Sequence, residues 1–75
     1  MESDYNNYKY KVGVDFELYL RALGFTVEQG KIASPMLQRE FKIPYHTSAN
    51  IIDLLKLNGI IETKMNERGW YAVKK

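Results

Sequence analysis

Within the stretch IPYHTSANIIDLLKLNG, residues 43–59, small hydrogen-bonding side chains crowd the front and branched hydrocarbon crowds the back. If a helix opens at Pro44, then Ala49, Ile52 and Leu55 fall on one face, with Tyr45 and Ser48 completing it, and His46, Thr47, Asn50 and Asp53 fall opposite. The groups on that second face suit the reading of base edges. An amide such as Asn50 can bond adenine bidentately, Thr47 can bond a base or touch a thymine methyl, and His46 can reach the same edges. They do not suit bond breaking. His46 is the sole histidine and there is no cysteine. No Ser nucleophile has an orienting carboxylate at a recognisable spacing, and paired carboxylates converge on no predicted face. An enzyme, a small-molecule substrate, a cofactor and a metal site are therefore not expected. The plainer reading of the polar front is that it satisfies the free backbone N–H groups of a first helical turn.

Such a helix needs a frame. Phe16, Leu20 and Leu23 recur at helical steps after Asp15, a good N-cap, and before Gly24, a good terminator, so the spacing predicts a first helix of about ten residues. FTVEQGKIA then reads as mixed, with a short strand at Lys31–Ala33. Ser34-Pro35 signals a second helix, with Ser34 as N-cap, carrying Met36, Leu37 and Phe41 on its apolar side. Lys42-Ile43-Pro44 breaks it, because the residue before a proline is pushed out of the α region. The third helix is expected to run from Pro44 to Asn58, with Gly59 in the left-handed conformation. Ile60–Thr63 and Trp70–Val73 have strand character around the turn residues 65–69, which predicts a hairpin. The order helix, short strand, helix, tight turn, helix, hairpin is that of a winged helix-turn-helix: mostly α, three helices plus a two- or three-stranded sheet. Residues 13–75 would form that domain, and residues 1–12, polar and Tyr-rich, a tail or an added strand. Ile51, Leu54 and Leu57 would pack under the hairpin, and Trp70 is expected to be partly buried against the third helix beside Leu54 and Leu57.

Composition bounds the rest. A chain of 75 residues holds one core, and with 45% hydrophobic and 27% charged residues it has the make-up of a soluble domain. No apolar run approaches the roughly 18 residues that would span a bilayer, and no signal-peptide stretch is evident, so a cytoplasmic protein without a membrane partner is expected. Charge is uneven. Residues 1–30 carry three Lys/Arg against five Asp/Glu, whereas residues 31–75 carry eight against four. A basic second half hints at nucleic acid. Arg39 and Lys42 beside the turn, with Lys64, Arg68 and Lys74 on the wing, would hold phosphates, although lysines on a wing also protect a sheet edge from aggregation.

The residues from Ser34 to Ile61, SPMLQREFKIPYHTSANIIDLLKLNGII, resemble the gamma domain of the FtsK/SpoIIIE bacterial DNA translocases. In that family a Ser begins a helix carrying L/V-Q-R-x-[LF]-x-I, followed by Gly-Tyr-Asn-Arg-Ala-Ala-Arg and a helix ending in Gly-Ile/Val. Leu37, Gln38, Arg39, Phe41, Ile43, Tyr45, Ala49, Leu55, Gly59 and Ile60 match. The resemblance implies a winged helix that reads short oriented motifs in double-stranded DNA, with Arg39 and Tyr45 in phosphate contact and helix positioning. Thr47 and Asn50 stand where the family has arginines that approach guanine, and Pro44 replaces a glycine, so the family's guanine-rich target does not carry over. There is no Walker-type glycine-lysine loop and hence no motor in these residues. The competing function is a protein-docking winged helix without sequence-specific DNA binding. Tyr5, Tyr8, Tyr10 and Trp70 would be its anchors, since interface hot spots favour large aromatics.

Overall fold

The fold, obtained as a computed structural model, describes residues 14–75. The Tyr-rich segment 1–12, with Tyr5, Tyr8 and Tyr10, lies outside the described residues. Three helices and a small sheet follow in the order α1 (Phe16–Gln29), β1 (Lys31–Ile32), α2 (Ser34–Phe41), α3 (Tyr45–Leu57) and β2 (Tyr71–Ala72). This is the mostly helical, small winged-helix-like architecture expected from the order of elements.

The first helix is longer than its spacing predicts. Asp15 caps it as expected, its Oδ1 accepting from Leu18 N at 2.7 Å, but the helix passes through Gly24 and stops at Gly30, which takes φ 76° and donates its N–H to the Thr26 and Val27 carbonyls. The reason lies in packing. Thr26, one turn beyond the buried Ala22, is itself buried, and the Phe25 ring meets Phe41 of α2 edge to face at 5.8 Å. These contacts outweigh the roughly 1 kcal/mol that a mid-helix glycine costs.

Boundaries shift by one residue at the next two helices. Ala33, not Ser34, is the N-cap of α2, and Pro44 is the N-cap of α3 rather than its first helical residue. Between α2 and α3 the chain turns on Lys42, which adopts the left-handed conformation with φ 55° and ψ 50°, a place where a side chain costs energy that glycine avoids. The end of α3 is as expected. Gly59 takes φ 74°, its N–H donates to the Lys56 carbonyl at 3.0 Å and Ile60 N donates to the Leu55 carbonyl at 2.9 Å, the paired bonds of a Schellman cap.

The sheet is built differently from a simple hairpin. Strand β2 pairs antiparallel with β1, in the register Lys31 with Ala72 and Ile32 with Tyr71. On its other side it meets the chain that leaves α3: Ile61 bridges to Val73, Glu62 N donates to the Ala72 carbonyl and Lys74 N to the Ile60 carbonyl, both at 2.9 Å. The last strand is therefore central. The core lies between this sheet and the helices, where Ala22, Ile32, Leu37, Ile51, Leu55 and Ile61 are all fully shielded from solvent. Among the described residues, no helix is long and apolar enough to cross a membrane.

Candidate nucleic-acid interface

Helix α3 presents two sides. Thr47, Ser48, Ile51, Ile52, Leu54 and Leu55 are buried, while Tyr45, His46, Asp53 and Leu57 are exposed and Ala49, Asn50 and Lys56 are half-buried. At about 100° per residue, the buried six form two adjacent rows, so the open side runs through Tyr45, His46, Ala49, Asn50 and Asp53. The core stripe is thus wider than the Ala49–Ile52–Leu55 row alone, and it is centred further round the helix. Three expectations change as a result, the first being that Ala49, expected on the packed face, is only half-buried and lies on the open side. Thr47, only 3% exposed, stands one turn before Ile51 and belongs to the packed side, so it is not placed to read a base. Tyr45, expected on the packed side, is 64% exposed and stands at the open front. Ser48 is buried as expected, its hydroxyl donating to the Tyr45 carbonyl at 2.7 Å. The N-cap of α3 is Pro44, which makes no side-chain cap hydrogen bond.

The cations assigned to phosphate are all on the surface. Arg39 lies in the last turn of α2, Lys42 at the turn, and Lys64 and Arg68 in the wing; each is exposed, and among the described residues none of the four is held in an ion pair. The wing that carries the last two is clamped by one side chain. Asn66 Oδ1 accepts from Arg68 N at 2.9 Å and Trp70 N at 3.1 Å, while Asn66 N donates to the Trp70 carbonyl at 2.9 Å and Gly69, at φ 93°, donates to the Asn66 carbonyl at 3.1 Å. Such an Asx-type closure holds a turn without help from a core.

Two other lysines of the basic half are engaged with rings. Lys31 Nζ sits 4.9 Å from the centroid of Trp70, and Lys56 Nζ sits 4.3 Å from the centroid of Tyr71 while donating to its hydroxyl at 3.2 Å. Trp70 is partly buried, as expected, but its ring is met by Lys31 of β1. The aromatic contact with α3 is made by the next residue, Tyr71, because successive strand side chains point to opposite faces. Leu57, expected under the hairpin, is 58% exposed, whereas Ile51 and Leu54 are buried as the sequence implies. Sequence reading overlooked these cation–ring pairs because Lys31 and Lys56 lie 39 and 15 residues from their aromatic partners, too far for any local pattern to reveal them. The adjacent aromatics Trp70 and Tyr71 are the one local sign of such contacts.

Comparison with known proteins adds a family. The model of the family described as "Ftsk gamma domain" matches residues 15–69, from the α1 cap to the wing turn. The DNA translocase SftA of Bacillus subtilis (strain 168) is 40% identical over 45 residues, which make up 60% of this chain and 5% of that protein. A DNA translocase FtsK of Campylobacter jejuni (serotype O:2) is 49% identical over 45 residues, again 60% of this chain and 5% of the relative. A DNA translocase FtsK of Bacillus cereus is 37% identical over 51 residues, 68% of this chain and 6% of the relative. The chain thus spans only a small part of the length of the curated relatives it matches.

Proposed function

The chain belongs to the FtsK gamma domain family, and on that premise we propose that it binds double-stranded DNA and recognises a short sequence through α3. The open side of that helix enters the major groove, His46 and Asn50 meet base edges, and Tyr45 helps to seat the helix against the backbone. Arg39 and Lys42 grip phosphates beside the helix, and Lys64 and Arg68 do so from the wing. The observation that carries this reading is the one-sidedness of α3. Its first turns leave Tyr45 and His46 exposed and Asn50 half-exposed, while its other side supplies much of the core. The names of the relatives, all DNA translocases, support duplex DNA as the ligand.

Because no guanidinium group stands on the open side of α3, the preferred contacts are to adenine and thymine rather than to guanine. Selection of bound duplexes from random DNA tests this. Asn50→Ala should then weaken the selected site by about 1–3 kcal/mol and random duplex hardly at all, because only base readout depends on that amide. Enrichment of no site, or a site indifferent to Asn50, would remove sequence recognition and leave the fold.

A second reading, docking of a protein partner, draws on α1. Phe16, Leu20 and Val27 are 43%, 46% and 55% exposed, and their spacings of four and seven residues set them along one side of that helix. A partner seated there would bind with little response to salt, whereas a duplex held by phosphate contacts responds steeply.

A further inference from the structure

Lys56 stands in the last turn of α3, ten residues beyond His46 and so about 15 Å further along the helix axis. A cation there is a poor reader of the groove that the helix's first turns enter. It is also occupied: its ammonium lies over the Tyr71 ring at 4.3 Å and bonds the Tyr71 hydroxyl at 3.2 Å. Tyr71 belongs to β2, and β2 continues without a break from Trp70, whose N–H and carbonyl are both bonded to Asn66 in the wing turn. One short chain of contacts therefore joins the reading helix to the loop that carries Lys64 and Arg68.

We infer that Lys56 is a positioning residue for DNA binding: through Tyr71 it fixes how α3 leans on the wing, so that helix and wing meet the duplex together, and it makes no phosphate contact of its own. The inference rests on the DNA-binding reading. The backbone ladder from Ile60 and Glu62 to Ala72 and Lys74 fixes where the wing begins. It acts only on the chain beyond the helix cap. Tyr71 and Val73 also pack against the core that α3 helps to build, and the Lys56–Tyr71 pair adds a directional polar bridge from the body of α3 to the strand, combining a cation–ring contact with a hydrogen bond between two half-buried residues.

The test uses Lys56→Met, which keeps most of the aliphatic stem, Tyr71→Phe, which keeps the ring and loses the hydroxyl, and Lys56→Arg, which keeps a cation that can bond and stack. Affinity for a short fluorescent random duplex is measured across a salt series, with helicity followed by circular dichroism. With the parent binding, Lys56→Met should weaken affinity by about fivefold and Tyr71→Phe by about twofold, with Lys56→Arg close to the parent. The slope of log affinity against log salt should stay at the parental value in all three. A slope smaller in magnitude by about 0.9 in Lys56→Met, with Tyr71→Phe binding like the parent, would make Lys56 a phosphate contact and overturn the inference alone. Parental affinity in both Lys56→Met and Tyr71→Phe would overturn it as well. If Lys56→Met loses helicity, Tyr71→Phe decides, because its ring still packs. A parent that binds no duplex at any salt overturns the DNA-binding reading itself.

Discussion

The side-chain amide of Asn58 donates a 2.8 Å hydrogen bond to the Tyr19 hydroxyl, joining the C-terminal cap of α3 to the first turns of α1 across 39 residues of sequence. It helps to hold α3 against the helix that backs it. Tyr19→Phe removes the bond and leaves the ring, so it should cost about 0.5–1.5 kcal/mol. Thermal unfolding should then fall by several degrees, while affinity for duplex DNA below the transition stays at the parental level. A variant that melts like the parent would show that the bond contributes nothing net.

Helix α1 contains two positions at which the sequence works against the fold, and both can be improved. A Cβ added at Gly24 meets no atom within 4 Å, so Gly24→Ala should stabilise by about 0.5–1 kcal/mol through helix propensity and unfolded-state entropy. The Thr26 hydroxyl is fully buried and, among the described residues, has no hydrogen-bond partner. Thr26→Val removes that group at nearly constant shape and should gain about 1 kcal/mol. Chemical denaturation reads both changes as a higher midpoint at unchanged slope. A lower midpoint for Gly24→Ala would mean that the helix bends there, and one for Thr26→Val that the hydroxyl has a role the packing hides.

These positions also show where the sequence was legible and where it was not. The N-cap at Asp15, the break at Lys42-Ile43-Pro44 and the left-handed Gly59 are local signals, written in residues that meet their backbone partners within a few positions, and each is found where expected. Gly24 misled because a glycine marks a helix end only when packing does not continue beyond it, and beyond it Phe25 meets Phe41 of α2 and Thr26 is buried. Thr47 misled for the same reason. The apolar row through Ile52 and Leu55 set Thr47 opposite it, but the second row, Ile51 and Leu54, is buried as well and Thr47 continues that row toward the N-terminus. The cation–ring pairs at Trp70 and Tyr71 depend wholly on tertiary structure.

Lys42 sets stability against binding. Its left-handed backbone costs about 1 kcal/mol that glycine avoids, and its exposed charge serves the proposed phosphate contact. Lys42→Gly should therefore raise the denaturation midpoint and weaken binding to all duplexes about equally. Should the variant gain stability with no loss of affinity, Lys42 would be a turn residue only.

Arg39, Lys64 and Arg68 should act on affinity without altering preference. Neutralising any one of them should reduce the magnitude of the salt slope by about one and lower binding to selected and random duplexes alike. A change of preferred sequence in Arg68→Ala, with the slope intact, would move that side chain from the backbone to a base edge.

The most direct test of duplex binding anchored on phosphates is the salt dependence of the parent's affinity for random double-stranded DNA. With Arg39, Lys42, Lys64 and Arg68 each neutralising one phosphate, log affinity should fall linearly with log salt with a slope of about −3.6. Affinity indifferent to salt, or no binding even at low ionic strength, would contradict the account and shift attention to the exposed apolar side of α1.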